Sequence, residues 1–287
     1  MTSVDIALLR TWIGRVEECE DVITIQLARR LYACIDYEAP PLFPQERAPL
    51  LIHWCLAPAA PKTSELGIDG HAPPGGFIPP VPLPRRMWAA GKLKFHNELL
   101  IGDEVLRRSQ IADVALKEGR TGLLCFVQIK HEISTARGLA ISEEQTLVYR
   151  AAELPAHKRA SEAVANNNSV KARWQRTWTP SSVALFRYSA LTFNSHRIHY
   201  DRQYATKQEG YKGLVVHGPL QATLLLHLAS AIKDATTPSQ FEFQAKQPLF
   251  DGSEARFNAV EAANGLDLWS CDSSGKTSMI ARASWQS

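Results

Sequence analysis

GLVVHGPLQATLLLHLA, Gly213–Ala229, carries apolar residues on nearly every side of any helix it could form. A helix with no polar face cannot rest on a surface, so the run predicts a helix over 214–232 wrapped by other structure. Pro219 suits a first helical position, where a missing N–H costs nothing, and Gly218 reads as the cap before it. The wrapping is written downstream. Stretches Phe241–Pro248, Glu254–Ala262, Leu266–Asp272 and Thr277–Trp285 read as strands, with turns at DG, NG and SGK between them.

The first half has the same order of parts in weaker form. TSVDIALLRTWIGRVEE reads as a helix capped at Thr2 or Ser3, and a second helix runs around ITIQLARRLYACI up to the break APPLFPQERAP. LLIHWCLAP is a short apolar piece, and the Pro-rich residues 72–84 are loop, because proline lacks the donor that helices and central strands need. Leu93–Phe95, Glu104–Leu116, Thr121–Ile133 and Ala140–Tyr149 read as strands joined by tight turns, hence an antiparallel meander. Residues 151–172 are polar and alanine-rich and read as a linker between an N-terminal domain, 1–150, and a C-terminal one, 173–287. Periodicity alone supports an antiparallel sheet plus one buried helix per half, an α+β class. Two curved antiparallel sheets, each around a helix, resemble a double hot-dog, whose first unit would be degenerate because LIHWCLAP is too short for a full central helix.

Composition narrows the function classes. A net charge of +3, with basic and acidic residues mixed along the chain, does not advertise a nucleic-acid surface. Five scattered cysteines with no CxxC pair argue against a disulfide framework and for a reducing, cytoplasmic setting. Neither a signal peptide nor a membrane span is expected.

The chemistry gathers just before the apolar helix, in YSALTFNSHRIHYD, residues 188–201. His199 is the strongest candidate for acid–base work, because imidazole titrates near neutrality. Asn194 can hold a water through its amide without changing charge. The helix start offers outward N–H groups at Gly218 and Leu220, at the positive end of the dipole, where a carbonyl oxygen could gather charge. An isolated loop histidine more often caps or fills, and His196 and Tyr200 are read that way. His217 fixes the helix start, and His227 sits on a packed face. The HxxHxD spacing of His196, His199 and Asp201 is a weak metal signal, and no metal is expected. Arg85, Arg86 and Trp88, beside a strand, form a surface patch or a binding site for phosphate or carboxylate.

FRYSALTFNSHRIHYD followed by EGYKGLVVHGPLQATLL, together with RRMWAAGKLKFHNELLIGDEV, resembles the MaoC-like, R-specific enoyl-thioester hydratases. The whole layout resembles their two-domain branch, which holds itaconyl-CoA and mesaconyl-C4-CoA hydratases and mitochondrial-type 3-hydroxyacyl-thioester dehydratases. The resemblance implies a hydro-lyase with His199 as catalytic histidine and Gly218 as oxyanion donor. The family's aspartate position is Asn194 here, and His196 and Arg197 stand where Asn and Pro are expected. It also implies one active site per chain, with the N-terminal half shaping the acyl and pantetheine channel. Within the family, a dicarboxylic acyl-CoA is favoured, its free carboxylate meeting Arg197, Arg85 or Arg86, with Trp88 and His217 also lining the site. No cofactor is needed beyond the CoA of the substrate, and the partners expected are that thioester and a second copy of the chain, as a dimer. A carrier-protein dehydratase, a silent thioester-binding protein and a thioesterase are the alternatives.

Overall fold

The computed structural model describes residues 4–119, 122–151 and 171–285. Its first half contributes α1 (Ile6–Arg10), β1 (Val16–Val22), α2 (Ile25–Cys34), β2 (Arg85–Phe95), β3 (Glu104–Gly119), β4 (Gly122–Thr135) and β5 (Gly138–Arg150). Its second half contributes β6 (Trp174–Trp178), α3 (Ser182–Leu191), α4 (Gly218–Ile232), β7 (Gln240–Ala245), β8 (Ala255–Ala262), β9 (Gly265–Cys271) and β10 (Thr277–Ser284). Long hairpins joined by short turns make β3, β4 and β5 the expected meander.

The two sheets are one. Strands follow the order β1-β3-β4-β5-β2-β7-β10-β9-β8-β6, every pairing antiparallel. The seam is β2 on β7, from Ala90 opposite Gln244 to Lys94 opposite Gln240. Joining the sheets there gives both strands a neighbour on each side, so neither half presents an open edge at the junction.

Every residue of α4 from Leu220 to Ser230 is buried. The helix lies against β8, β9 and β10, with lesser contact to β2 and β7. Its few polar groups are satisfied internally, as burial demands. Ser270 Oγ donates to Gln221 Oε1 (2.9 Å), Thr223 Oγ1 to the Pro219 carbonyl (2.8 Å) and Ser230 Oγ to the Thr236 carbonyl (3.0 Å). In the first half the corresponding position holds only a 3-10 turn, Ile52–Cys55. Polar chemistry fills part of the space. Glu143, buried on β5, accepts from Trp54 Nε1 (3.1 Å) and pairs with His53 Nε2 (3.2 Å).

Three readings of the sequence are corrected here. The apolar helix starts at Gly218, with His217 as its cap, because 215–216 are extended: Val215 N–H donates to the Ile198 carbonyl (3.0 Å) and Val216 N–H to Leu249 (2.8 Å). The opening helix is only α1, capped by Asp5, whose carboxylate accepts from Leu8 N–H. Gly14, at φ +88°, then turns the chain, and VEECEDV runs as an edge strand on β3, where its charges face water. Strand β2 begins at Arg85 rather than Leu93. The apolar residues 183–186 lie in α3, which Ser181 caps through Ala184 N–H (3.1 Å). The linker reading falls mostly on 152–170, and Thr2 and Ser3 at the start, both outside the described residues. No helix among the described residues is long and apolar enough to cross a membrane.

Candidate active site

Helix α3 ends at Leu191 and the chain reverses through Phe193, at φ +49°. Asn194 N–H returns to the Ser189 carbonyl (2.8 Å), and its Oδ1 accepts from His196 N–H (3.1 Å). That Asx turn leads into one 3-10 turn, Arg197–His199. Asp201 then caps a π-helical segment, Tyr204–Gln208, by accepting from Tyr204 N–H (3.0 Å).

His199 is placed by this loop against the chain that leads into α4. Its ring is 7% exposed, and Nδ1 lies 2.7 Å from the Val215 carbonyl. A carbonyl only accepts, so Nδ1 carries the hydrogen and Nε2 carries the lone pair. Burial pulls its pKa down to about 4, against the Val215 hydrogen bond, which raises it. The ring is therefore neutral at pH 7. It stacks on His217, centroids 3.6 Å apart and planes 19° from parallel. His217 Nε2 meets Ser189 Oγ (2.9 Å), and burial first, then His199 and His196, hold it well below the usual imidazole range.

Gly218 is the first residue of α4, where N–H groups have no helical partner. A side-chain Cβ at Gly218 would meet only the Trp88 carbonyl at 3.5 Å and Met279 Cε at 3.9 Å, ordinary contacts. Packing does not require glycine there.

A turn from the first half completes the arrangement, and sequence reasoning missed it. Residues 67–71 dock on the 194–201 loop through Arg197 N–H to the Asp69 carbonyl (2.9 Å), Ser195 Oγ to the Gly70 carbonyl (2.5 Å) and Arg197 Nη1 to the Ile68 carbonyl (3.0 Å). Gly70 sits at φ +86°, and a Cβ there would overlap the Ser195 carbonyl. Asp69 accepts twice from His71, from its backbone N–H (3.0 Å) and from Nδ1 (2.8 Å). Burial pushes the Asp69 carboxyl up, but the bonds from His71 outweigh it and the group ends well below the usual carboxylate range. The His71 ring lies 4.1 Å from that of His196, which lies 5.4 Å edge-on from His199. Burial, then His71 and His199, hold His196 down to about 2. Its reading as a filler is thus replaced by a place in a row of four imidazoles. Gly70→Ala is expected to cost about 1–3 kcal/mol of stability and to loosen both turns. A thermal melt and a turnover assay on that variant check this, and unchanged values in both would refute the docking.

The remaining candidates are distributed unevenly. Arg197 is committed: Nε and Nη2 grip Asp201 Oδ2 (3.1 and 2.7 Å), and its guanidinium lies over Tyr204 at 4.3 Å. Arg85 pairs with Glu209 through Nε (3.1 Å). Arg86 stands in register with Tyr149 on β5, half-buried, and its charge bears on His71 and His196. Trp88 donates to the Ala90 carbonyl (3.0 Å) and packs against Trp54 and Phe243. His227, on the far side of α4, reaches the Leu50 carbonyl (3.2 Å). His196, His199 and Asp201 do not converge as ligands, because Asp201 faces Arg197 and His199 Nδ1 faces Val215. The donor atoms that do converge, within 4.8 Å, are those of Asp69, His71 and His196, two of them already hydrogen-bonded to each other.

Comparison with known proteins identifies the family and the fold. The family described as Hydroxyacyl-thioester dehydratase type 2 matches residues 51–251. Mesaconyl-C(4)-CoA hydratase of Chloroflexus aurantiacus is 42% identical over 94% of this chain and 95% of its own. The mitochondrial Hydroxyacyl-thioester dehydratase type 2 of Schizosaccharomyces pombe is 30% identical over 76% of this chain and 78% of its own. Among solved structures, HtdX of Mycobacterium tuberculosis superposes with a TM-score of 0.64 at 17% identity, covering 94% of this chain and 99% of that one. A second M. tuberculosis protein, described as having a double hot-dog fold, superposes at 0.60 and 14% identity, covering 95% of each chain. The chain belongs to the hydroxyacyl-thioester dehydratase type 2 family, in the MaoC-like double hot-dog group. It is a hydro-lyase of the enoyl-thioester hydratase type.

Proposed function

We propose that the chain adds water reversibly to a short branched or dicarboxylic enoyl-CoA, with itaconyl-CoA or mesaconyl-C4-CoA hydrated to citramalyl-CoA as the favoured reaction. One observation carries the chemistry: a buried, neutral His199 with its Nε2 lone pair open stands beside the free N–H groups at the start of α4. The 42% identity to a mesaconyl-C4-CoA hydratase supports the acyl class.

In the hydration direction, His199 Nε2 takes a proton from water as the water oxygen bonds to Cβ. In the conjugated thioester, mesaconyl-C4-CoA, the Cα=Cβ pair moves toward the thioester oxygen, and the Gly218 N–H at the positive helix end receives the charge that builds there. His199 then returns its proton to Cα. One water is consumed and the enzyme is restored. Itaconyl-CoA, whose double bond lies one carbon further out, would first have to pass a proton from Cα to its methylene carbon. Asn194 has spent its carbonyl oxygen on His196 N–H, so its NH2 is the end that holds the attacking water. Glycine at 218, which packing does not require, lets the thioester approach the bare backbone. The domain division proposed from sequence fits the strand order, where β1–β5 and β6–β10 form separate blocks joined at one seam.

The test is the loss of enoyl-thioester absorbance with mesaconyl-C4-CoA and crotonyl-CoA, and the chromatographic appearance of citramalyl-CoA from itaconyl-CoA, each run with a thiol-reactive dye. Loss of absorbance without free thiol is expected, fastest on a dicarboxylic thioester. Release of thiol would make the protein a thioesterase. Turnover only of carrier-protein thioesters would move it to the carrier-protein dehydratase reading.

A further inference from the structure

His71, His196, His199 and His217 form a continuous row of rings, successive centroids being 4.1, 5.4 and 3.6 Å apart. Hydration through His199 places a full positive charge in that row for the life of the enolate. In so buried a place an uncompensated charge is expensive. Asn194, at the head of the loop that carries His199, has no charge to answer it.

The charged and titratable groups facing the row come from every element packed on it. The 67–71 turn brings Asp69. Strand β2 brings Arg86, with Tyr149 opposite it on β5. The 194–201 loop brings Arg197, already paired with Asp201. The π segment brings Tyr204, whose hydroxyl donates to Glu209, itself paired with Arg85. The start of α4 adds His217, and α3 brings Tyr188, whose ring meets that of His217 edge-on at 5.0 Å. Among the described residues, Asp69 is the one of these carboxylates that is hydrogen-bonded to a ring of the row.

We propose that Asp69, anchored on His71 by the first half of the chain, is the counter-charge of the acid–base site. The inference rests on the hydration reading above and deepens it. Asp69 accepts the His71 Nδ1 hydrogen, so His71 keeps its lone pair on Nε2 and is polarised as the partner imidazole of a catalytic triad is. The polarised ring lies against His196, and His196 against His199. When water gives its proton to His199, the anion at Asp69 lowers the energy of the resulting imidazolium. When the proton passes on to Cα, that stabilisation is released with it. Asp69 never holds the proton. It is a positioning residue that acts through His71 and His196, and the first half of the chain takes part in the chemistry as well as walling the channel.

The experiment is Asp69→Asn, which preserves shape and removes charge. An aspartate directly on a catalytic histidine is worth about 10⁴ in kcat in the serine proteases, so one acting through intervening rings is expected to be worth about 10- to 100-fold. KM should hardly move, the acid limb of kcat should shift to lower pH, and Asp69→Glu should recover part of the loss. The readout independent of turnover is NMR. The His71 Cε1–H resonance should titrate at lower pH in Asp69→Asn, and at higher pH in Arg86→Met, which removes the opposing charge. Wild-type kcat and unchanged titrations in the variants would overturn the inference. So would activity abolished by a chelator and restored by zinc, which would make Asp69 a metal ligand. If wild type hydrates no thioester, the hydration reading falls by itself, and the two titrations still decide whether Asp69 sets the charge of the row. If Asp69→Asn does not fold, the Arg86→Met titration and the Asp69→Glu kinetics decide.

Discussion

His199→Asn is expected to lower kcat by about 10²–10⁴-fold while leaving KM near the wild-type value. The choice of asparagine follows from the geometry. In the proposed mechanism His199 has two jobs, a structural one at Nδ1 and a chemical one at Nε2. Nδ1–H donates to the buried Val215 carbonyl at 2.7 Å. The amide nitrogen of asparagine stands at the same bond count from the backbone and can keep that bond, but nothing in its side chain reaches the place of Nε2. Alanine would remove both and also leave a buried carbonyl unpaired, at a cost of about 1–3 kcal/mol, so its lower activity would be ambiguous. Thermal melts of the pair separate the roles: asparagine should melt near wild type and alanine clearly below it. If His199→Asn turned over normally, the base would have to be another group of the row. The pH profile gives a second check. Burial leaves His199 with a pKa of about 4, so kcat/KM should hold from neutrality downward and fall only as pH drops through about 4. An exposed loop histidine would instead lose activity around 6.5. Stability moves first. The unfolded chain binds protons as pH falls below about 6.5 while the folded His199 does not, so the fold loses stability between about 6.5 and 4. The profile therefore needs short assays with a stability control at each pH.

The parts of this site that were legible in the sequence are those whose cause is local. Helix α4 announces itself because no face of 220–230 is polar, and burial on all sides is its physical consequence. The meander is legible through its short turns, where Gly138, at φ +100°, takes the conformation other residues avoid. The start of α4 was misplaced because Leu214, Val215 and Val216 are as apolar as the helix, yet their N–H and C=O groups are claimed by partners distant in sequence. Helix α3 was hidden by its own surface, since Val183 and Phe186 are 60% and 62% exposed and blur the apolar stripe. Arg197 shows the opposite case. Its partner was visible at i+4 in Asp201, a spacing that favours pairing and argues for a structural role. Asp69 and His71 were not legible at all. They lie in a proline- and glycine-rich loop more than a hundred residues before His199, and only the docking of Gly70 under Ser195 brings them to it. No local periodicity encodes such a contact.

Arg86→Met is expected to lower kcat/KM toward a dicarboxylic enoyl-CoA by about 30- to 1000-fold and to leave crotonyl-CoA, which has no free carboxylate, within a few-fold of wild type. Sequence alone offered three arginines for the substrate carboxylate, and their surroundings divide them. Arg197 spends Nε and Nη2 on Asp201 and Nη1 on a backbone carbonyl, so engaging a ligand would mean dismantling the loop that carries His199. Arg85 is tied to Glu209 through both its side chain and its carbonyl. Arg86 has no acidic side chain within ion-pair distance among the described residues, and it faces the histidine row, where the acyl group must lie if His199 is the base. A half-buried cation without an anion is a cost to the folded protein, and a bound carboxylate would offset it. The same cost predicts the sign of the stability change: Arg86→Met should melt at or above the wild-type temperature. A substitution that raises stability while removing one class of substrate is hard to attribute to damage. Arg86→Lys keeps the charge and gives up the forked geometry, so it should retain part of the preference. If Arg86→Met kept its full preference for the dicarboxylic thioester, the carboxylate would have to be met elsewhere. If it lost both substrates equally, Arg86 would serve the CoA moiety or the histidine row instead of the acyl end.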